Sequence, residues 1–280
     1  MERGLVVFTD LDGTLLDHST YSFSAAEPAL RLLHDRRIPL VLCSSKTRAE
    51  IEPLRAALGN REPFIAENGG AVFVPEGRFP LEFLPGRHDG RYVVAEFGTP
   101  YARLIEVLEE LSRRFPGDIK GFHELTAAEV ALLTGLSPAN AELSLKREYD
   151  EPFLLADPGL VEPVREAARL SGLRVVQGGR FFHLMGDNDK GKGARFLALL
   201  YAQALGHPVE SIGLGDSAND RPLLEAVEFP VLVQKPGGVY DPVIVLPDLY
   251  LAPGEGPAGW NAAILDLVPR LAGRSRVPGG

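Results

Sequence analysis

Short hydrophobic runs alternate with amphipathic stretches along the N-terminal part of the chain. The runs "GLVVF" and "IPLVLC" are apolar, as is typical of buried strands. Two capping-box patterns follow these runs, Ser24 with Glu27 and Thr47 with Glu50, and each predicts the beginning of a helix. The pattern therefore predicts strands and helices in alternation.

The N-terminal part ends with the runs "PFIA" and "AVFV", which flank Asn68 and Gly69, a pair that favours a hairpin turn. A different pattern fills the middle of the chain. There "RYVVAEF" is a strand candidate, and "YARLIEVLEELSRRF" places Leu104, Val107 and Leu111 on one face of a predicted helix. The runs "PFLL", "LRVVQ" and "FFHLM" are further strand candidates. These elements predict a smaller, separate α/β unit.

The last part of the chain returns to the first pattern. "KGARFLALLYAQAL" is an amphipathic helix candidate, and "SIGLGD" and "FPVLV" are strand candidates. Alternation of this kind predicts an α/β fold whose core is a doubly wound parallel sheet with helices on both faces. We expect residues 1–82 and 187–280 to form this core, and residues 83–186 to form an inserted, smaller α/β domain.

Composition narrows the classes of function. The chain has 280 residues with a formal net charge of -9, which argues against a general nucleic-acid binder. No apolar run reaches membrane-spanning length, and the N-terminus shows no secretory pattern. The single cysteine, Cys43, cannot form an internal disulfide bond. We therefore expect a cytoplasmic protein without membrane or nucleic-acid partners.

Polar residues follow three of the predicted strands directly. "LVVF" runs into Asp10, "LVLC" into Ser44 and "IGLG" into Asp216. Because the carboxyl ends of parallel strands line one crevice, we expect these side chains to converge. Asp10, Asp12 and Asp216 together would form the hard oxygen site that Mg2+ prefers. The alternative is that Asp12 and Gly13 form only a turn and that Asp10 caps a helix or a strand.

The motifs "DLDGT" and "GDSAND" resemble those of the haloacid dehalogenase (HAD) superfamily of aspartyl-phosphate phosphatases. The resemblance implies that Asp10 is the nucleophile and Asp12 the general acid/base. It implies that Ser44 binds phosphate, with Ser45 as the adjacent alternative. Lys190, in "DNDKGKG", would hold the nucleophile and the phosphate.

The same resemblance extends to the metal and to the insertion. It implies an Mg2+ cofactor, with Asp216 as a ligand beside Asp10 and Asp12, and with Asn219 and Asp220 in support. The inserted unit stands where cap domains of the C2B type stand in that superfamily.

Further segments narrow the resemblance within the superfamily. "LCSSKTR", "ENGG", "REYDEPF" and "GGRFFHLMGDNDKGKG" are similar to segments of the mannosyl-3-phosphoglycerate phosphatase family. This similarity implies hydrolysis of a small phosphorylated sugar-acid, mannosyl-3-phosphoglycerate, to phosphate and the compatible solute mannosylglycerate. The sequence is consistent with either a monomer or a homodimer.

Four further residues are candidates for substrate binding. Arg147, Arg180 and His183 lie in the cap segments of these motifs and would bind the carboxylate or the hydroxyl groups of the substrate. Lys46 would line the entrance of the site. The alternatives are surface ion pairs for the arginines, a hydrogen-bonded strand histidine for His183, and a solvated first helical turn for Lys46.

Rival functions differ in the fate of the phosphoryl group. Another HAD sugar-phosphate phosphatase would release it from a different substrate, and a phosphomannomutase would return it to the sugar. A phospho-aspartate switch also clusters acids around Mg2+ and would be a signalling module rather than an enzyme. Such a switch would not need Asp12, because no leaving alcohol requires a proton.

Overall fold

The computed structural model of the protein describes residues 4–178 and 181–274. The strands within these ranges are β1 (Gly4–Thr9), β2 (Leu40–Cys43), β3 (Phe64–Ala66), β4 (Ala71–Pro75), β5 (Arg87–His88), β6 (Tyr92–Glu96), β7 (Ile119–Gly121), β8 (Asp150–Leu155), β9 (Arg174–Gly178), β10 (Phe181–Met185), β11 (Val209–Gly215), β12 (Phe229–Gln234) and β13 (Tyr250–Glu255). The helices are α1 (Glu27–Asp35), α2 (Arg48–Ala57), α3 (Tyr101–Arg114), α4 (Ala127–Thr134), α5 (Pro138–Ser144), α6 (Val161–Leu170), α7 (Lys190–Leu205), α8 (Arg221–Leu224) and α9 (Gly256–Arg274).

A nine-stranded sheet dominates the described part of the chain. Its order is β13-β12-β11-β1-β2-β3-β4-β6-β5. Neighbours from β13 to β3 run parallel, and β4, β6 and β5 continue the sheet in antiparallel pairs. The predicted α/β fold with a doubly wound, mainly parallel core is confirmed. The strand order places the carboxyl ends of β11, β1 and β2 side by side.

Both faces of this sheet are buried. On β1 and β2, Val7 and Leu42 join the hydrophobic cluster beneath α1 and α9, whereas Phe8 and Val41 join the cluster beneath α7. Full burial of an aliphatic or aromatic side chain contributes about 1.5–3 kcal/mol. The sheet therefore fixes the strand ends rigidly. No helix in the described ranges is both long enough and apolar enough to cross a membrane.

A second, four-stranded antiparallel sheet lies between β6 and α7 in the described chain. Its order is β7-β8-β10-β9, and α3 and α6 pack against it. We call residues 101–185 the smaller unit. It corresponds to the predicted insertion, but β5 and β6 belong to the large sheet although they fall within the predicted range 83–186. The division into two domains stays a prediction, and the sheet pairing moves its first boundary beyond Glu96.

The two N-terminal capping boxes had different outcomes. Thr47 and Glu50 form theirs, with the Glu50 amide donating to Thr47 Oγ1 at 3.1 Å. The prediction for Ser24 and Glu27 is wrong, since Ser24 lies in a 3-10 turn and α1 begins at Glu27 without a side-chain cap among the described residues. The Ser24 hydroxyl instead hydrogen-bonds to that of Ser22, 3.0 Å away.

Candidate active site

Asp10 lies directly after β1, where the strand places its carboxylate in the crevice at the end of the sheet. Its amide continues the strand pairing by donating to the Leu214 carbonyl at 2.9 Å. The residue is 6% exposed, and Oδ1 lies 2.6 Å from the Lys190 ammonium. The parallel pairing of β1 with β11 therefore fixes the predicted nucleophile through its own backbone.

Lys190 reaches this crevice from the first residue of α7. Asp189 caps that helix by accepting from the Lys192 amide at 2.8 Å, so the helix begins with Lys190 in its first turn. Lys190 is fully buried and lies 2.6 Å from both Asp10 and Asp220. Burial alone would lower the pKa of this ammonium, but the two carboxylates outweigh it and raise the pKa. Lys190 is therefore a permanent cation at the nucleophile.

Among the described residues, carboxylate oxygens of Asp10, Asp216 and Asp220 lie within 4.8 Å of one another. Burial, reinforced by Asp220, raises the pKa of Asp10 well above its usual range and that of Asp216 to about 6. One lysine cannot neutralise three carboxylates. The cluster therefore has the oxygen donors and the surplus negative charge that suit a divalent cation.

The loop after β11 holds Asp216 and Asp220 in place. Asp220 Oδ2 accepts from the amides of Asp216 and Ser217 at 3.0 and 3.1 Å. Thr14 Oγ1 donates to Asp216 Oδ1 at 3.3 Å, which ties this loop to the DLDGT turn. Gly13 has a φ of +77°, and a Cβ there would stand 3.1 Å from Asp216 Oδ2. Thr14 was not among the predicted site residues, although it is the last residue of the DLDGT motif.

Asp12 pairs with Lys46, just before α2, and is not one of the three clustered carboxylates among the described residues. Its Oδ2 lies 2.9 Å from the Lys46 ammonium, which also lies 3.8 Å from Glu50. The Oδ1 atom of Asp12 is buried without a hydrogen-bond partner in the described part of the chain. An acceptor held in this way is free to take or give a proton at a bound group. The predicted role of Asp12 as a metal ligand stays a prediction.

Ser44 and Ser45 follow β2 beside Asp10's strand. Ser44 is buried, and its Oγ accepts from the Lys46 amide at 3.1 Å, so the hydroxyl proton remains available to a phosphate oxygen. The Ser45 carbonyl accepts from Arg147 Nη1 at 3.0 Å. The structure brings both serines to the crevice, and their phosphate-binding roles stay predictions.

A cavity of about 350 Å³ lies between the large sheet and the smaller unit. Its lining residues come from both parts of the chain: Asp12, His18, Tyr21, Ser45, Lys46, Glu50, Phe122, Leu133, Thr134, Leu136, Ser144, Arg147, Pro152, Phe181 and His183. Volumes of this size are typical of small-molecule sites. Three of the predicted substrate-binding residues, Lys46, Arg147 and His183, line it together with Asp12.

A chain of hydrogen bonds joins the loop that carries Asp216 and Asp220 to this cavity. Asn219 Nδ2 donates to Asn68 Oδ1 at 3.2 Å, and Asn68 Nδ2 donates to Asp150 Oδ2 at the same distance. Asp150 in turn lies 2.9 Å from His183 Nδ1. Burial alone would raise the pKa of Asp150, but His183 and Arg147 outweigh it and hold that pKa below its usual value. Asn68 therefore does more than turn a hairpin.

The comparisons with known proteins agree with this geometry. A family model described as haloacid dehalogenase-like hydrolase matches residues 7–79. A glucosyl-3-phosphoglycerate/mannosyl-3-phosphoglycerate phosphatase from Methanococcoides burtonii is 49% identical over 264 residues, covering 94% of this chain and 97% of the relative. The phosphatase of the same name from Persephonella marina is 38% identical over 268 residues, covering 95% and 98%. The chain belongs to this phosphatase family.

A solved structure extends the likeness to the fold. A phosphatase of the haloalkanoate (HAD) enzyme superfamily from Bacteroides thetaiotaomicron matches with a TM-score of 0.67 at 20% identity, covering 96% of each chain. The family model and the two relatives confirm the predicted resemblance to HAD phosphatases, and the relatives confirm the prediction that the protein is an enzyme. The phospho-aspartate switch is thereby set aside in favour of a phosphatase.

For this HAD phosphatase, the structure gathers the predicted residues into two groups. Asp10, Lys190, Asp216 and Asp220 surround the sheet end. The second group lines the cavity next to it, and Asn219 bridges toward that group through Asn68. The prediction for Arg180 falls on a residue outside those that the structure describes. The assigned roles of all these residues stay predictions.

Proposed function

We propose that this phosphatase hydrolyses mannosyl-3-phosphoglycerate and glucosyl-3-phosphoglycerate to the glycosylglycerate and phosphate. The observation that carries the proposal is the 49% identity to a phosphatase named for both substrates, because it covers 94% of this chain. The identity thus extends over the smaller unit and the cavity as well as over the HAD motifs. The products of such a reaction are compatible solutes, in keeping with the cytoplasmic location predicted from the sequence.

In this proposal Asp10 attacks phosphorus and forms an aspartyl phosphate, while the bond to the glycerate oxygen breaks. Lys190, 2.6 Å from Asp10 Oδ1, orients the carboxylate and offsets its charge. The Ser44 hydroxyl donates to a phosphate oxygen. Phosphoryl transfer depends mainly on such positioning and charge neutralisation, so a rigid strand end suits it.

Asp12 supplies proton transfer in the same scheme. It donates a proton to the departing glycerate oxygen, and it then takes one from the water that attacks the aspartyl phosphate. Asp12 lines the cavity beside Lys46 and is not one of the three clustered carboxylates. This position supports a role in proton transfer for Asp12 and a role in metal binding for the cluster.

The donor set fits Mg2+. Asp10 and Asp216 would hold it, with Asp220 keeping the loop of Asp216 in place through the amides of Asp216 and Ser217. When bound, Mg2+ would neutralise charge on the nucleophile and on the phosphate. The surplus of buried carboxylates over lysine in the cluster supports this assignment.

The proposal is tested by phosphate release from a panel of mannosyl-3-phosphoglycerate, glucosyl-3-phosphoglycerate, mannose 1-phosphate and sucrose 6-phosphate, with Asp10→Asn as the inactive control. We expect kcat/KM for at least one glycosyl-3-phosphoglycerate to exceed that for the other esters by tenfold or more. Preference for sucrose 6-phosphate would contradict the proposal. An isomerised sugar phosphate without free phosphate would indicate a mutase instead.

A further inference from the structure

Tyr21 has a left-handed backbone conformation, with a φ of +56°. This conformation is rare for a bulky L-residue, because Cβ approaches the following carbonyl group. Its side chain is 44% exposed, so burial within the protein does not account for a tyrosine at this position. Unfavourable backbone conformations that persist in folded proteins cluster at functional sites.

The surrounding loop maintains this conformation. Asp17 Oδ1 accepts from the Ser19 amide at 3.1 Å and from the Thr20 amide at 2.8 Å. The Tyr21 amide donates to the Asp17 carbonyl at 2.9 Å, and the Asp17 amide donates to the Ser22 carbonyl at the same distance. The loop is therefore an ordered turn that presents the Tyr21 ring in one direction.

The ring faces the cavity beside the proposed acid/base. The Lys46 ammonium lies 5.2 Å from the centroid of the Tyr21 ring and 2.9 Å from Asp12 Oδ2. Tyr21 also lines the cavity that contains Asp12. A leaving group whose oxygen meets Asp12 would therefore extend past this ring.

The smaller unit supplies further aromatic walls of the same cavity. Phe122 and Phe181 line it, with their ring centroids 5.0 Å apart in an edge-to-face pair. The cavity thus combines charged groups, such as Asp12 and Lys46, with aromatic surfaces. Aromatic rings offer large, flat apolar surfaces, and the C–H faces of a pyranose ring are apolar too.

We propose that Tyr21 is a specificity residue that packs against the sugar ring of the substrate's leaving group. The inference rests on the proposed function, because it assigns Tyr21 to the glycosyl part of a glycosyl-3-phosphoglycerate. The phosphate and glycerate are left to the groups around Asp10 and Asp12. An ester without a sugar would then gain nothing from the ring.

The test compares mannosyl-3-phosphoglycerate with 3-phosphoglycerate, which lacks the sugar. In Tyr21→Asn the ring is removed, and asparagine tolerates the left-handed conformation, so the midpoint of thermal unfolding should not fall. We expect kcat/KM to fall at least tenfold for mannosyl-3-phosphoglycerate, mainly through KM, and less than twofold for 3-phosphoglycerate. Tyr21→Phe keeps the ring and should stay within threefold of the wild type on both esters.

Arg37 provides a matched control. It is exposed, has a φ of +53° and lies just after α1, outside the residues that line the cavity. Arg37→Asn also places an asparagine at a left-handed position. It should leave kcat/KM unchanged for mannosyl-3-phosphoglycerate and for 3-phosphoglycerate.

Two results with these esters would overturn the proposal. Wild-type kinetics of Tyr21→Asn on both esters would mean that the ring does not contact the substrate. Equal losses on both would mean that it acts through Lys46 or Asp12.

If the wild-type protein hydrolyses neither glycosyl-3-phosphoglycerate, the proposed function fails. The same variants are then compared on mannose 6-phosphate, which has a sugar, and on glycerol 3-phosphate, which has none. An unchanged ratio of the two rates in Tyr21→Asn would overturn the proposal there as well.

Discussion

Arg147 of the smaller unit donates a hydrogen bond from Nη1 to the carbonyl oxygen of Ser45, 3.0 Å away. Its Nε donates to the Ser144 carbonyl at 2.9 Å, and its side chain is 7% exposed. Arg147 therefore holds the smaller unit against the loop that carries the predicted phosphate-binding serines. If Arg147 only bound the substrate, its substitution would affect one substrate. The bond to Ser45 instead predicts an effect on the phosphate-binding loop itself.

Because Arg147 fixes the Ser45 loop, Arg147→Ala should lower activity on every phosphate ester rather than on one. We expect kcat/KM to fall at least tenfold on both mannosyl-3-phosphoglycerate and p-nitrophenyl phosphate. Stability should also fall, since Asp150 and Glu67 lose a buried cation. Steady-state kinetics and thermal unfolding check this, with the exposed Arg103→Ala on α3 as the control. A loss confined to the glycosylated ester would instead mean that Arg147 binds the substrate directly.

Asp12→Asn should separate the two chemical steps. Removing the acid/base should slow turnover of mannosyl-3-phosphoglycerate by about 10²–10⁴-fold. With p-nitrophenyl phosphate the leaving group needs no proton, so Asp10 should still be phosphorylated, and hydrolysis of the adduct should become slow. Intact-protein mass spectrometry should then detect a phosphate adduct, absent from a variant that also carries Asp10→Asn. Turnover within tenfold of the wild type would exclude Asp12 from this role.

Removal of divalent cations should abolish activity, and Mg2+ should restore it. Ca2+ should restore it poorly, because its larger and more flexible coordination shell would misplace the nucleophile. In the chelated protein, Mg2+ should raise the midpoint of thermal unfolding more at pH 7 than at pH 5. Burial raises the pKa of Asp216 to about 6, so at pH 5 this carboxyl is mostly protonated and a proton competes with Mg2+ for it.

The matched pair for this experiment is Asp216→Asn and the exposed Asp248→Asn. The first should lose the thermal response to Mg2+, and the second should keep it. Full activity after exhaustive chelation, or an equal response in the two variants, would contradict a metal site at Asp216.

Glu67 should make stability depend on pH. Burial raises the pKa of Glu67 from an ordinary value of 4.5 to about 8, although it accepts from the amides of Glu148 and Tyr149. Between these values the folded protein retains a proton that the unfolded chain has released, so this contribution to stability is lost as the pH rises toward 8. In Glu67→Gln the amide does not titrate. The difference between the unfolding midpoint of this variant and that of the wild type should therefore shift in favour of the variant as the pH rises from 5 to 9.

Glu110→Gln, at an exposed position on α3, is the control for that comparison. Its unfolding midpoint should follow the wild type at every pH. A constant difference between Glu67→Gln and the wild type across the range would mean that Glu67 keeps its ordinary pKa in the folded protein.

Local patterns were sufficient for much of the fold. The apolar runs at β1, β2 and β11 predicted strands, and the polar residues that follow them predicted a shared crevice. The predicted elements end at "FPVLV" and do not include β13 and α9. The signal was present, because Trp260, Ile264 and Val268 recur every four residues and are all buried. Trp260 also donates to Thr9 Oγ1 at 3.0 Å, just beneath Asp10.

By itself, the sequence determined many of the strands and helices and the carboxylate motifs, because these depend on side-chain periodicity and on neighbours in the chain. Only the tertiary structure decided which distant side chains meet. It placed Lys190 between Asp10 and Asp220, and paired Lys46 with Asp12. It turned Arg147 onto a backbone carbonyl, a contact between residues 102 apart in the chain. Such contacts are set by how the smaller unit packs against the sheet, and packing sums many weak, non-local interactions that no short motif encodes.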